Sequence, residues 1–423
     1  MPTSLDRSDR GAAIVGAACR FPGAPSLDAF WRLMMEGRNA VRAAPEGRWA
    51  VERFLRPGKP EAGFSYTFAG GYLDEPFVFD PAPFGLSPRE AQQMDPQQRL
   101  LLEVVWEALE DAGLPPAALS GANVGVYIGA SSVDYQFNAS NDPAIIDSHF
   151  MTGNTLSILS NRISYVFNLK GPSVTLDSAC ASSFSALDAA MAALEQGRIH
   201  LAIVGGVNML LSPVPFIGFS QARMLSPTGL SRPFSQDGDG YVRAEGAGVM
   251  VLRRAGEARA LGESIRAVIV GAALNCDGRT SGISLPSMEG QRDLIATLYD
   301  RLGLGPDDLA FVEAHGTGTK VGDPVEANAI GRVLGQGRAT KLPIGSVKSN
   351  IGHLEAASGV AALLKAMLAL ERRTLPPWVF LDRLNEAIDF EALNIAPNAA
   401  ARALDLEGRA IHAGVCNYGF GGA

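Results

Sequence analysis

One helix-forming segment constrains the fold more than any other feature of this chain. From about Ala181 to Gln196, Phe184, Leu187, Met191 and Leu194 recur at helical spacing, and Gly197 supplies a stop. Ala186, Ala189, Ala190, Ala192 and Ala193 fill most of the remaining positions, with Ala179 and Ala181 just before them. A surface helix keeps one polar face; this one has few polar positions, so most of its sides must be covered by protein. The pattern predicts a sandwich with a central helical layer between two sheets.

A short internal echo supports two related layers. Ala12-Ala13-Ile14-Val15-Gly16-Ala17-Ala18 reappears as Ala267-Val268-Ile269-Val270-Gly271-Ala272-Ala273. Each copy is fully apolar, as expected of a strand buried on both faces. The copies divide the chain near 11–262 and 263–423, and 423 residues exceed the usual size of a single core. Met1–Arg10 is polar and reads as a leader or linker. Strand patterns at 174–176, 201–204, 309–312 and 344–347 alternate with helices, among them one opened by Asp95 and Pro96 and one running from His353 to about Arg373. The fold class is α/β, with mainly parallel sheets covered by helices.

Composition excludes several classes. A net charge of −8 argues against a nucleic-acid partner, although an acidic carrier protein can still dock on a local basic patch. No apolar run reaches membrane-spanning length and no cleavable leader is evident, so the expectation is a cytoplasmic protein with reduced thiols and no membrane partner. The four cysteines, Cys19, Cys180, Cys276 and Cys416, are far apart without a C-x-x-C pair, which argues against a zinc ribbon or redox dithiol. Resemblances to a phosphate loop at Gly316–Lys320 and a calcium loop at Ser235–Gly246 fail on spacing and on the missing twelfth-position glutamate, so no metal is expected.

Three reactive residues lie just past strand ends. Cys180 follows Val174–Leu176, His315 follows Leu309–Val312, and His353 follows Ile344–Val347. Ligands of open α/β sheets bind outside the carboxyl ends of strands, which predicts one shared pocket. At a helix start, unpaired N–H groups and the macrodipole favour the thiolate of Cys180. A thiolate with two neutral imidazoles suits acyl transfer through a thioester. Thr317 and Thr319, on alternate positions of a Gly-rich loop, offer hydroxyls to the amides of an extended ligand arm, and Phe420 between Gly419 and Gly421 reads as a moving gate. Cys19, Cys276 and Cys416 read as inert buried side chains, and His149, His200 and His412 as structural or solvated.

With these residues assembled, the chain closely resembles the β-ketoacyl synthase (ketosynthase) domains of type I polyketide synthases, and more distantly those of fatty-acid synthases. The resemblance runs through Ile14-Val15-Gly16 with Cys19-Arg20-Phe21-Pro22, Asp95–Glu103, Gly171-Pro172-Ser173, Asp177-Ser178-Ala179-Cys180, Glu313–Thr319 and Lys348–His353. It implies a thiolase fold, five-layered αβαβα from two pseudo-repeated halves, usually a homodimer. It implies that Cys180 accepts an acyl chain from the phosphopantetheine of an acyl carrier protein, with no cofactor bound by the domain itself. His315 and His353 would support decarboxylation of a malonyl-type extender and stabilise the enolate, Lys348 would orient the histidines, the backbone N–H groups of Cys180 and Phe420 would form an oxyanion hole, and Thr317, Thr319 and Phe420 would contact substrate. Other synthase domains, acyltransferase and reductive, would be partners. Ser178 and Ala181 stand where relatives more often show Thr and Ser, and the chain ends at Ala423 inside the family's terminal motif, as a cut from a longer protein would. Alternatives are a coenzyme A thiolase, against which the His-Gly-Thr-Gly-Thr and Asn-Ile-Gly-His contexts speak, and a non-condensing structural subunit, which typically lacks one of the three reactive residues.

Overall fold

The computed structural model describes residues 11–139, 142–404 and 411–423, so the Met1–Arg10 segment lies outside the described residues. Strand β1 (Ala12–Arg20) is buried along nearly its whole length, as its unbroken apolar run requires. Ala13, Val15 and Ala18 face one core, and Ala12, Ile14, Ala17 and Cys19 face another. The alternation changes parity at Val15–Gly16, where the register against the neighbouring strand slips as in a β-bulge.

The first sheet adds β2 (Val124–Gly129), β3 (Ser173–Leu176), β4 (Leu201–Asn208), β5 (Gly246–Arg254) and β6 (Ala267–Ile269), in the order β3-β2-β4-β5-β1-β6. β2, β3 and β4 are parallel, whereas β5 runs antiparallel to both β4 and β1. The second sheet is wholly parallel, ordered β9-β8-β7-β10 from β7 (Leu309–Glu313), β8 (Leu342–Gly345), β9 (Ile395–Pro397) and β10 (His412–Val415).

Helices α1 (Pro96–Asp111) and α2 (Ile158–Val166) cover the outer face of the first sheet. α3 (Ser182–Glu195) lies on its inner face, packed on β2 and β4. α4 (Met288–Leu302) and α5 (Gly322–Ile330) close the outer face of the second sheet, and α6 (Ser358–Glu371) packs against α3 and against both sheets. The layers therefore run αβαβα, the thiolase arrangement. Ala186, Ala190 and Ala193 on α3 are completely buried, and so is Ala361 on α6. Such small side chains allow two helices to share one layer.

Close approach also places the start of α3. A Cβ added to Gly129 at the end of β2 would lie 2.3 Å from the Ser183 backbone nitrogen. Gly129→Ala should therefore cost about 1–3 kcal/mol through overpacking, read as a lower urea midpoint with unchanged m-value.

Two expectations need adjustment. The echo strands pair with each other: β6 lies antiparallel to β1, with Ala12 opposite Ile269. β6 is only half-buried, because it borders an apolar cleft that continues through 270–274 towards β10. The strand expected at 344–347 ends at Gly345, because the Val347 N–H is drawn away to the Glu313 carboxylate at 2.6 Å. Among the described residues, no helix is long and apolar enough to cross a membrane.

Candidate active site

Beyond β3 the chain makes a tight turn before α3. Asp177 Oδ1 accepts the Ala179 N–H at 2.9 Å, and Ser182 Oγ accepts the Ser178 N–H at 3.0 Å. Ala179 sits at φ +53, a left-handed conformation that costs a non-glycine residue about 1–2 kcal/mol. The turn leaves Cys180 half-buried on the wall of a cavity, ahead of the first helical residue, Ser182.

The expected resting thiolate is not what this environment favours. Burial pushes the Cys180 thiol up to about 12, and the Glu355 carboxylate adds to the rise. Lys348 and the N–H groups of Phe420 and Cys180 itself, which hydrogen-bond the sulfur, pull the other way without winning. Desolvation outweighs the helix start. The rate of Cys180 alkylation by iodoacetamide should then rise about tenfold per pH unit from about pH 7 to about pH 9 without a plateau, followed by peptide mapping. Mapping is needed because Cys276, expected to be buried, is exposed.

His315 follows β7, and His353 follows the helical turn Lys348–Ile351 beyond β8. Their ring centroids are 5.4 Å apart, nearly perpendicular. Burial, and then the Lys348 charge, hold both imidazoles well below the usual histidine range, so both are neutral. Lys348 is 1% exposed and donates from Nζ to the His315 carbonyl at 2.6 Å; burial lowers its own pKa. Thus Lys348 holds the backbone of one histidine and biases the charge of both.

Several residues that sequence reasoning passed over build this site. Glu326 accepts the N–H groups of His315 and Gly316 at 2.6 and 2.7 Å. Asp323 accepts those of Phe234, Gly318 and Thr319 at 2.6, 3.1 and 3.3 Å. Their signal was present in Gly322-Asp323-Pro324-Val325-Glu326, where acids crowd the first turn of a helix. On the other side, His353 Nδ1 accepts the Glu355 N–H at 3.1 Å. Glu355 holds φ +48 while its carboxylate grips the buried Arg243 guanidinium at 2.5 and 2.8 Å. That guanidinium lies over Phe219, whose ring meets Phe420 edge-on at 5.9 Å. Glu355 and Arg243 gave no sequence signal, since each acts through the fold rather than through a local motif.

Cys180, His315, His353, Thr317, Thr319 and Phe420 all line one cavity of about 160 Å³, with Lys348 behind the His315 backbone. The Thr317 and Thr319 hydroxyls are 3.1 Å apart, and Phe420 is 46% exposed at the mouth. Phe219, Met224 and Tyr241 form an apolar wall, whereas Asn275 and Asp277 are polar. Such a cleft can take a thioester on the sulfur while offering neutral hydrogen-bonding rings to a developing oxyanion.

Comparison with known proteins gives the same picture. The model of the β-ketoacyl synthase N-terminal domain matches residues 9–258, and that of the C-terminal domain matches 266–382. The chain is 42% identical over 420 residues to polyketide synthase GfsE of Streptomyces halstedii, covering 98% of this chain and 11% of that protein. It is 41% identical over 428 residues to the pikromycin polyketide synthase component PikAII of Streptomyces venezuelae, covering 100% of this chain and 11% of that one. It thus spans only about a tenth of the length of these curated relatives. Among solved structures, the oxazolomycin ketosynthase domain OzmH KS7 of Streptomyces albus JA3453 superimposes with a TM-score of 0.92 at 38% identity, covering 97% of this chain and 73% of that one. The ketosynthase from module 6 of the bacillaene synthase of Bacillus subtilis 168 gives 0.89 at 37%, covering 97% and 70%. The chain belongs to the β-ketoacyl synthase family, as a ketosynthase domain of the polyketide synthase type.

Proposed function

We propose that this domain catalyses decarboxylative Claisen condensation in polyketide biosynthesis. A Cys180-bound acyl chain is extended by a malonyl-type unit carried on the phosphopantetheine of an acyl carrier protein. The observation that carries this reading is the convergence of Cys180, His315 and His353 on one cavity. Cys180 takes the acyl group as a thioester. Loss of the extender's carboxyl group leaves an enolate, whose carbon attacks the Cys180 thioester and releases the sulfur. The Cys180 and Phe420 N–H groups, aimed at the sulfur, suit the oxyanion of the acyl thioester. The His353 imidazole, whose Nδ1 accepts the Glu355 N–H, suits the extender's carbonyl. Lys348 orients the histidines, and Thr317 and Thr319 offer their hydroxyls to the pantetheine amides.

The division into halves near 262 accords with the two family models, which meet between residues 258 and 266. A homodimer is favoured by β3, one of the two edge strands of the first sheet, with Val174 exposed on it and Tyr165 79% exposed nearby on α2. The partners are acyl carrier protein and the other domains of a cytoplasmic synthase, acyltransferase and reductive. A coenzyme A thiolase or a non-condensing structural protein fits less well, because all three reactive side chains are present and the imidazoles are buried neutral.

Intact-mass spectrometry after incubation with a panel of acyl thioesters tests the first half-reaction. One acyl adduct per chain supports the reading; no adduct from any acyl thioester would refute it.

A further inference from the structure

The side chain of Asn417, in the segment after β10, lies between the nucleophile and the first histidine and is 7% exposed. Its Nδ2 donates to the Cys180 backbone carbonyl, which can only accept, so this contact fixes which end of the amide is nitrogen. Oδ1 then faces His315 Nδ1 at 2.9 Å and also accepts the Ser358 hydroxyl at 3.0 Å. An amide oxygen has no proton to give. His315 Nδ1 must therefore be the donor in this pair, and in a neutral ring Nε2 then holds the lone pair.

His353 is set the other way. Its Nδ1 accepts the Glu355 N–H at 3.1 Å, so its proton sits on Nε2. The cleft is thus bounded by one imidazole that accepts and one that donates. The Tyr418 N–H also approaches His315 Nδ1, at 3.3 Å, the longer contact and one that suits the opposite tautomer. Asn417 decides between the two.

We propose that Asn417 is a positioning residue that holds His315 in the Nδ1–H tautomer, so that His315 Nε2 accepts the proton Cys180 loses on acylation. The proposal rests on the condensing reading above. In the step, the Cys180 S–H bond breaks as Sγ bonds the acyl carbon, and the proton passes to His315 Nε2. The bond from that carbon to the carrier sulfur then breaks, and the departing phosphopantetheine thiolate takes the proton back, leaving His315 neutral. A neutral resting thiol needs such an acceptor, and the nitrogen lone pair of His353 is already occupied by Glu355.

The test is nitrogen NMR of the ¹⁵N-histidine-labelled chain, paired with the rate of Cys180 acylation by an acyl pantetheine thioester. Wild type should show His315 protonated at Nδ1 and bare at Nε2. Asn417→Ala should move the proton to Nε2, as the Tyr418 N–H takes over Nδ1, and slow acylation about tenfold, part of the usual worth of a positioned base. A purely structural role would leave the tautomer unchanged. If Asn417→Ala does not fold, the wild-type spectrum decides, and a wild-type His315 protonated at Nε2 overturns the proposal. Wild-type acylation matched by an equally fast Asn417→Ala would overturn the Asn417 assignment alone, whereas a wild type that no thioester modifies overturns the condensing reading itself.

Discussion

Cys180→Ala is expected to abolish acyl-adduct formation and to reduce condensation by on the order of 10⁴-fold or more, since every later step needs the covalent intermediate. The loss should be chemical rather than structural. The turn is held by the Asp177 carboxylate and the Ser182 hydroxyl rather than by the thiol, so the thermal midpoint of the variant should stay close to wild type. Cys19 and Cys416 cannot substitute, because neither is among the residues that line the cavity. Cys276 is exposed and outside the residues that line the cavity. An adduct of wild-type stoichiometry on Cys180→Ala would place the nucleophile elsewhere.

His353→Ala should separate the two half-reactions. With its proton on Nε2, His353 is the imidazole equipped to donate to the enolate oxygen, and removing one such preorganised donor costs about 10²–10³-fold. Release of carbon dioxide from a malonyl carrier should fall by that factor, while Cys180 is still acylated. The His353 ring also packs edge-on against Tyr241 at 5.2 Å, so His353→Asn serves as a control that keeps a polar group there. Decarboxylation at the wild-type rate in both variants would remove His353 from the chemistry.

The sequence made much of this legible because the chemistry sits at strand ends. Apolar runs locate β3, β7 and β8, and reactive residues placed just beyond them share an end of their sheets. The Ala-rich pattern of α3 required cover on both sides, and the structure supplies a sheet on one side and α6 on the other. The state of the thiol was not legible, since helix starts are visible in sequence but desolvation depends on everything packed around the sulfur. Glu355 illustrates the same limit. Its carboxylate meets Arg243, 112 positions away in the chain, while its backbone holds a left-handed φ of +48. Asn417 is a further case: its partners Cys180 and His315 lie far off in sequence, and nothing in Cys416-Asn417-Tyr418 announces them.

Condensation itself is tested most directly by loading Cys180 with an acyl group and adding a malonyl carrier labelled with ¹³C at the free carboxyl. The account predicts a carrier-bound β-ketoacyl product two carbons longer than the loaded chain, a vacated Cys180, and all of the label released as carbon dioxide or bicarbonate. Label retained in the product, or loss of label with the acyl group still on Cys180 and no lengthened chain, would contradict it.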